Sequence, residues 1–255
     1  MLISSLIILF FAGCAENSSI LDNGQSRQLE FSVSTHSWNN SNSRPSNYEK
    51  DSRATPISGT TFNTSNSFNI IADQNDGNGN YSTLIDNKAV SYSNNIWKTT
   101  KDYYWSGNSS KTINFYAYYP TSISSSISHT AGSAPTLSYT VPDNVANQPD
   151  IIVASKENVA GNTMTSTSLT FNHIFAAVQF SVGSSGLPSG TISSITINGI
   201  KNSGVYTFGS GWTLNSNAKT FTIFPSTTIN GTSGEKITSG TYTFLMIPQT
   251  FNNVT

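Results

Sequence analysis

Short runs in which apolar and polar residues alternate, separated by Gly, Asn, Ser and Pro, constrain the fold of this chain most strongly. In residues 29–35, Leu29, Phe31 and Val33 occupy every second position, so a strand would bring their side chains to one face. Helical spacing is nearly absent after the apolar run at residues 1–13. Runs that recur about every ten residues with turn residues between them are typical of β-sandwiches.

The pattern therefore predicts an all-β chain, with the strongest strand signal at residues 112–119, where Pro120 follows. The expected strands lie at residues 29–35, 67–72, 88–93, 95–98, 112–119, 137–141, 151–154, 169–182, 192–200, 204–208, 212–214, 221–224 and 242–247. Two hairpins are expected. One pairs residues 88–93 with 95–98 around Ser93-Asn94, and the other pairs residues 204–208 with 212–214 around "GSG".

The amino-acid composition argues against some classes of protein and favours another. Charged residues make up 10% of the 255 residues and the net charge is -1, so nothing draws the chain to nucleic acid. Aromatic residues make up 11%, which argues against a disordered chain. Many Ser, Thr and Asn residues among β-branched and aromatic ones favour an extracellular β protein.

The sequence contains one cysteine, Cys14, so no internal disulfide can form. Residues 1–13 before it are almost continuously apolar but shorter than the about 20 residues that span a bilayer as a helix. They fit the apolar region of a secretory signal peptide. Residues 15–19 after Cys14 are typical of a flexible tether, or leash. An N-terminal strand or buried helix with an incidental cysteine is the alternative.

Candidate chemical sites are few. The histidines His36, His129 and His173 lack metal-ligand spacing, and we expect His173 to be a structural residue within a strand. No nucleophile elbow, metalloprotease helix or paired carboxylates appear, so we expect no catalytic residues, no metal and no enzyme activity. The stretch "DQNDGNGN" resembles a calcium loop only superficially, and a plain Asn/Gly turn explains it better.

An aromatic group, above all Trp97, Tyr104 and Trp105, could form a platform on which a sugar stacks. Packing in the core and between strands explains the same residues. The polar stretch 37–55 reads as a linker, and it places Arg53 in an exposed loop.

Two stretches carry resemblances to known families. Phe11-Ala12-Gly13-Cys14 is similar to the lipobox of bacterial lipoproteins, in which the thiol receives a diacylglyceryl group before cleavage. The series "SRATPISGTTF", "SFNIIA", "INFYAYYP", "QPDIIVA", "LTFNHIFAAVQFSV", "ISSITINGIKNSGVYTF" and "FLMIPQTF" resembles the fimbrillin family, the subunits of type V pili, from about Phe31 onwards.

The fimbrillin resemblance implies two transthyretin-like β-sandwich domains in tandem. It also implies a lipoprotein precursor, with acyl chains such as palmitate on Cys14 as its only covalent group and no other cofactor, that reaches the outer membrane and the fimbrium. An arginine-specific protease would cut after Arg53, and Arg44 is a weaker candidate because Pro45 follows it. The strand with Leu29, Phe31 and Val33 would then leave.

A strand from another subunit would fill the vacated groove, giving a head-to-tail homo- or hetero-polymer. We accordingly expect a signal peptide at 1–13, then a leash, first strand and cleavable linker at 14–53. An N-terminal sandwich would follow at 54–167, and 168–255 would be the start of an incomplete C-terminal sandwich, with a boundary no later than Leu187.

Two other functions compete with a pilus subunit. One is a non-polymerising outer-membrane lipoprotein that binds glycans or a host protein through exposed aromatics. It would need Tyr104 and Trp105 at the surface, and it would not need the cassette of a detachable strand and a cleavable loop. The other is a secreted hydrolase domain. This hypothesis has little support, because no paired catalytic groups can be named.

Overall fold

The computed structural model describes residues 27–38, 57 and 59–250, and this part of the chain is almost entirely β, which confirms the predicted class. The strands are β1 (Phe31–Thr35), β2 (Phe68–Asn75), β3 (Tyr81–Ser93), β4 (Ile96–Thr99), β5 (Thr112–Tyr119), β6 (Ile127–Ser128), β7 (Thr136–Thr140), β8 (Ile152–Ala160), β9 (Thr167–His173), β10 (Ala176–Val178), β11 (Gly190–Ile192), β12 (Ile195–Lys201), β13 (Ser203–Thr207), β14 (Gly211–Leu214), β15 (Ala218–Ile223), β16 (Thr227–Ile229) and β17 (Phe244–Met246). Three short 3-10 helices lie at Thr121–Ser126, Val145–Asn147 and Gly240–Tyr242. In these stretches of the chain, no helix has both the length and the apolar character needed to cross a membrane.

Seven strands form a closed sheet in the order β1-β4-β3-β2-β5-β8-β9, which we call the barrel. Strand β1 closes it, parallel to β9 over five residue pairs and antiparallel to β4 through the pair Phe31–Trp97. Apolar side chains from alternate positions of these strands meet inside as the barrel core. Its members include Leu29, Phe31, Phe68, Ile70, Ile85, Trp97, Trp105, Ile113, Phe115, Leu169 and Phe171.

A second core lies against the outside of the barrel. Strands β2 and β5 are buried on both faces, because Ile71, Tyr116 and Tyr118 point away from the barrel core into this second cluster. Burial on both faces explains why β2 and β5 read as nearly continuous apolar runs rather than strictly alternating ones. The other members of the second core come mainly from β7 and from strands after residue 173.

The hairpin expected near Ser93-Asn94 is confirmed, with Asn94 and Asn95 as its two turn residues at φ of 51° and 64°. Positive φ at both central positions matches the turn that suits the twist of two paired strands, and Asn tolerates it. The first strand of the hairpin starts at Tyr81 and is therefore longer than predicted.

The prediction of one strand over 169–182 is wrong. Strand β9 ends at His173 and β10 begins at Ala176, where it pairs with β17 instead of with the barrel. Between them Ile174 and Phe175 are adjacent and both buried in the second core. Two consecutive inward side chains break the period of two, so the chain leaves one sheet here and enters another.

The expected division at 167/168 stays a prediction. Strand β9, which begins at Thr167, is bonded into the barrel through β1 and β8. A four-stranded sheet of order β14-β13-β7-β6 joins strands from both sides of that position. The later limit at Leu187 would keep β9 with the sheet in which it pairs.

Candidate functional site

The inward face of β1 and of the residue two positions before it fills one side of the barrel core. Leu29 and Phe31 are 1% and 3% exposed, and Val33 packs against the same core while partly buried. Phe31 meets Phe115 edge to face, with ring centroids 5.7 Å apart. The structure therefore places the three side chains of the proposed detachable strand on one face. Burying each such side chain stabilises the fold by about 1.5–3 kcal/mol.

One edge of β1 is bonded to β9. The Thr167 amide donates to the Glu30 carbonyl at 2.9 Å, and the His36 amide donates to the Phe171 carbonyl at 2.8 Å. The Ser34 hydroxyl also donates to the Thr170 hydroxyl at 3.2 Å. These bonds hold the whole length of β1 in a parallel register with the first five residues of β9.

The segment just before β1 is bonded to the chain that follows β4. The Leu29 amide donates to the Tyr103 carbonyl at 2.7 Å, and the Trp105 amide donates to the Arg27 carbonyl at 3.0 Å. On this side β1 itself pairs with β4 only at Phe31. Without residues 27–35, backbone groups would be left open on β9 and on the segment after β4.

The far end of β1 contacts the chain just after the long polar loop. The buried Thr35 donates its amide to the Thr60 carbonyl at 3.0 Å and its hydroxyl to the Gly59 carbonyl at 2.9 Å. Residues 39–56 between these partners lie outside the described part, and so does the N-terminal stretch up to residue 26. The predicted cleavage residue Arg53, the weaker candidate Arg44 and the lipidation residue Cys14 all fall there.

His173, at the end of β9, connects the two sides of that loop. Its Nε2 lies 3.0 Å from the His36 carbonyl, and its Nδ1 lies 3.0 Å from the Asp150 carboxylate. Asp150 also accepts a hydrogen bond of 2.6 Å from the Ile57 amide. The Trp38 indole stacks on the imidazole at 3.9 Å and 25°. We call these five residues, together with Thr35, Gly59 and Thr60, the end cluster.

The proton positions in the end cluster follow from its acceptors. The His36 carbonyl can only accept, so Nε2 of His173 carries a hydrogen. Asp150 also acts on a neighbour. Burial, and secondarily the negative charge of Asp150, raise the pKa of Tyr119 above its ordinary value.

Sequence reasoning predicts a satisfied structural histidine at 173, and these bonds confirm that role. The link to Asp150 was missed. Asp150 lies directly before the apolar run of β8, and His173 interrupts an apolar run at the end of β9. The only sequence signal for the contact was a polar residue beside each of these two apolar runs. Nothing in the sequence shows that β8 and β9 pair.

The candidate sugar platform does not form as a group. Trp97 and Trp105 are 6% and 3% exposed inside the barrel core, whereas Tyr104 is 46% exposed. Side chains of successive residues in an extended segment point to opposite faces, which separates Tyr104 from Trp105. For the two tryptophans the structure thus supports the alternative of core packing.

The stretch "DQNDGNGN" forms the turn between β2 and β3. Asn75 and Asp76 each accept an amide hydrogen two residues on, from Gly77 and Asn78, both at 2.7 Å. Hydrogen bonds from the Asn80 side chain, and then from the Asn78 amide, hold the pKa of Asp76 below its usual value. The carboxylate oxygens are used within the turn, which supports the plain-turn interpretation.

Asp73, at the start of that stretch, belongs to a different arrangement that the sequence did not reveal. It is fully buried, and its Oδ2 lies 2.9 Å from Nε2 of His129 and 2.8 Å from the amide nitrogen of Gly132. The contact joins β2 to the loop before β7. Among the described residues, no three His, Cys, Asp or Glu side chains converge as metal ligands would.

Residues 52–255 match the sequence model of a family described as fimbrillin-like. The matched stretch is well over half of the chain, begins one residue before Arg53 and leaves out β1. No curated protein sequence is significantly similar to the chain.

Among solved structures, a candidate cell adhesion protein from Bacteroides ovatus superimposes with a TM-score of 0.53 at 12% identity, over 88% of this chain and 79% of that chain. A candidate cell adhesion protein from Bacteroides thetaiotaomicron gives a TM-score of 0.33 at 14% identity, over 85% of this chain and 84% of its own. A fimbrial protein from Bacteroides ovatus gives a TM-score of 0.35 at 13% identity, over 88% of this chain and 47% of its own.

The first superposition shows that the fold is shared, and at that identity it shows nothing about binding. The family match rests on the sequence itself and takes in most of the barrel, together with the strands of the second core. This chain therefore belongs to the fimbrillin-like family.

Proposed function

We propose that this chain is the precursor of a fimbrial subunit, a structural or adhesive protein and not an enzyme. In this proposal an arginine-specific protease cuts after Arg53, β1 leaves, and a strand from another subunit takes its place. The observation that carries the proposal is the position of β1. It closes the barrel, pairing with β9 along its whole length and with β4 at Phe31, yet its covalent link to the rest of the barrel runs through residues 39–56.

The physical consequence of losing β1 favours replacement by another strand. The vacated site would present two rows of unpaired N–H and C=O groups beside an apolar trough lined by Trp97, Phe115 and Leu169. A new extended strand would restore the hydrogen bonds, and its alternate side chains would fill the trough. Because donor and groove are different surfaces, the contact repeats head to tail into a filament.

Cys14 has a separate part in the proposal. Lipidation of its thiol would tether the precursor to the outer membrane at the cell surface, since two or three acyl chains anchor stably where one binds reversibly. Cleavage after Arg53 would remove the lipid together with β1, because Cys14 precedes both. Tether release and groove opening would then be one event.

Binding of glycans through exposed aromatics is the weaker candidate. Two of its three rings, Trp97 and Trp105, are needed inside the barrel core. No observation in the described residues favours it over strand exchange.

The test is N-terminal sequencing with intact-mass measurement on the full-length protein, from cell membranes and from sheared surface filaments. We expect filament material to begin at Ala54 without lipid and membrane precursor to begin at acylated Cys14. Arg53→Ala should block conversion, whereas Arg44→Ala, the matched control in the same loop, should not. Filaments that retain β1 and the lipid would refute the proposal.

A further inference from the structure

At the far end of β1, the end cluster combines a buried hydroxyl bond with a contact between two rings. The Thr35 hydroxyl donates to the Gly59 carbonyl, and the Trp38 ring lies on the imidazole of His173. Thr35 is 2% exposed, so this hydroxyl is a buried donor at a position where the preceding three inward side chains are apolar. The inward pattern of this segment is thus three apolar residues followed by a hydroxyl.

The residues that make these contacts lie on either side of the polar loop in the sequence. Thr35, His36 and Trp38 precede it, whereas Gly59, Thr60, Asp150 and His173 follow it. The groups that follow form a fixed set: two carbonyl acceptors, one imidazole N–H donor and one aromatic face. They stay with the subunit after cleavage in the loop.

The imidazole is well placed to hold its position without β1. Its Nδ1 contacts the Asp150 carboxylate at 3.0 Å, and Asp150 also accepts a hydrogen bond from the Ile57 amide. The pairing of β8 with β9 places His173 opposite Ile152, two residues after Asp150. A side chain fixed by its own strand pair is pre-organised for the next occupant.

We propose that the part of the end cluster that follows the polar loop selects the strand that replaces β1, an inference that rests on the proposed function. It fits an extended peptide running parallel to β9 that has a Ser or Thr at its fourth inward position and an aromatic ring three residues later. Proline is excluded at that fourth position and at the next, because both amides donate hydrogen bonds there. The apolar pockets then set how tightly a donor packs, and the end cluster sets its register and direction.

Register needs such a device. A strand that slips by one residue turns its apolar side chains to the wrong face, but a slip by two keeps the alternation. Leu29, Phe31 and Val33 are all apolar, so a shift by two in either direction still leaves apolar side chains in two of the three pockets. The Gly59 carbonyl and the His173 ring mark one end of the groove, and a donor shifted by two would leave both without partners.

The experiment uses full-length protein cut at Arg53 and fluorescent peptides of residues 27–38. Four peptides are compared: the natural sequence, Thr35→Val, Trp38→Ala and, as control, Ser32→Ala, whose side chain is exposed. We expect the natural and control peptides to be retained alike. Each of the other two should dissociate about tenfold faster, the effect of losing one buried hydrogen bond or one ring contact.

A His173→Gln variant tests whether the effect of Trp38 comes from its contact with the imidazole ring. Gln keeps an N–H donor but has no ring, so on this chain the natural and Trp38→Ala peptides should dissociate at equal rates, while Thr35→Val remains faster. Equal retention of all four peptides by the natural chain would overturn the inference and leave strand exchange intact. If the natural peptide itself fails to exchange, the proposed function fails.

In that last case the end cluster is judged in the uncut chain by the thermal midpoints of Trp38→Ala, His173→Gln and the double variant. Coupled residues give non-additive shifts. We expect the double variant to lose clearly less than the sum of the two single losses, and additive shifts would remove the Trp38–His173 contact on which the inference rests.

Discussion

Phe31 of β1 lies edge-on to Phe115 of β5, with ring centroids 5.7 Å apart and planes at 80°, on opposite sides of the barrel core. This is the preferred geometry for two aromatic rings and adds to the area that they bury. Phe31 is also the residue whose backbone pairs with Trp97 to close the sheet. One side chain therefore links the closing strand both to its neighbour and to the strand opposite.

We expect Phe31→Ala to lower the free energy of unfolding by about 3 kcal/mol, because it removes a buried ring and leaves a cavity. The matched control is Ser32→Ala, the next residue, whose exposed side chain should change stability by no more than about 0.5 kcal/mol. Guanidinium unfolding followed by circular dichroism measures both. Equal midpoints for the two variants would mean that β1 does not hold the barrel together.

Tryptophan fluorescence should report the loss of β1. Trp97 and Trp105 are buried beside β1, so cleavage and strand release should expose them and shift their emission to longer wavelength. Adding a peptide of residues 27–38 that carries Trp38→Phe should reverse the shift. A Trp38→Phe, Trp212→Phe background restricts the signal to these two rings. An unchanged spectrum after complete loss of β1 would show that no groove opens.

The barrel strands were largely predictable because each has one inward face that must be apolar. Phe31 and Val33 could be assigned to one face from spacing alone, and Asn94 marked a hairpin because few residues accept its backbone angles. The break after His173 was harder. Ile174 and Phe175 shift the alternation by one position, and that shift is visible in the sequence only once two separate cores are considered.

The end cluster could not be predicted, for a different reason. It depends on which strands are neighbours, and the parallel pairing of β1 with β9 joins residues 136 positions apart in the Ser34–Thr170 contact. No local pattern encodes such a contact. The same holds for Asp73 and His129, which are polar residues in otherwise unremarkable loops and strands until the fold brings them together.

The buried pair of Asp73 and His129 should matter far more than an exposed pair. In His129→Ala, the fully buried Asp73 carboxylate keeps only the Gly132 amide as a partner, which should cost about 3–5 kcal/mol. The control is Lys219→Ala, which removes the exposed contact with Asp143 at 2.5 Å and should cost at most about 1 kcal/mol. Urea midpoints of the two variants measure the contrast. Similar losses would mean that Asp73 is not a charged, buried group.

Tyr139 should make the stability of the fold depend on pH in the alkaline range. Burial raises the pKa of its hydroxyl from the ordinary 10.0 to about 12, so the folded chain keeps this proton where the unfolded chain has lost it. Its contribution is therefore fully present below pH 10.0 and is lost as the pH rises towards about 12. Tyr139→Phe, which has no proton to lose, should show a smaller fall in thermal midpoint over this window than the natural chain. Thermal melts from about pH 8 upwards test this, and parallel curves for the two proteins would contradict it.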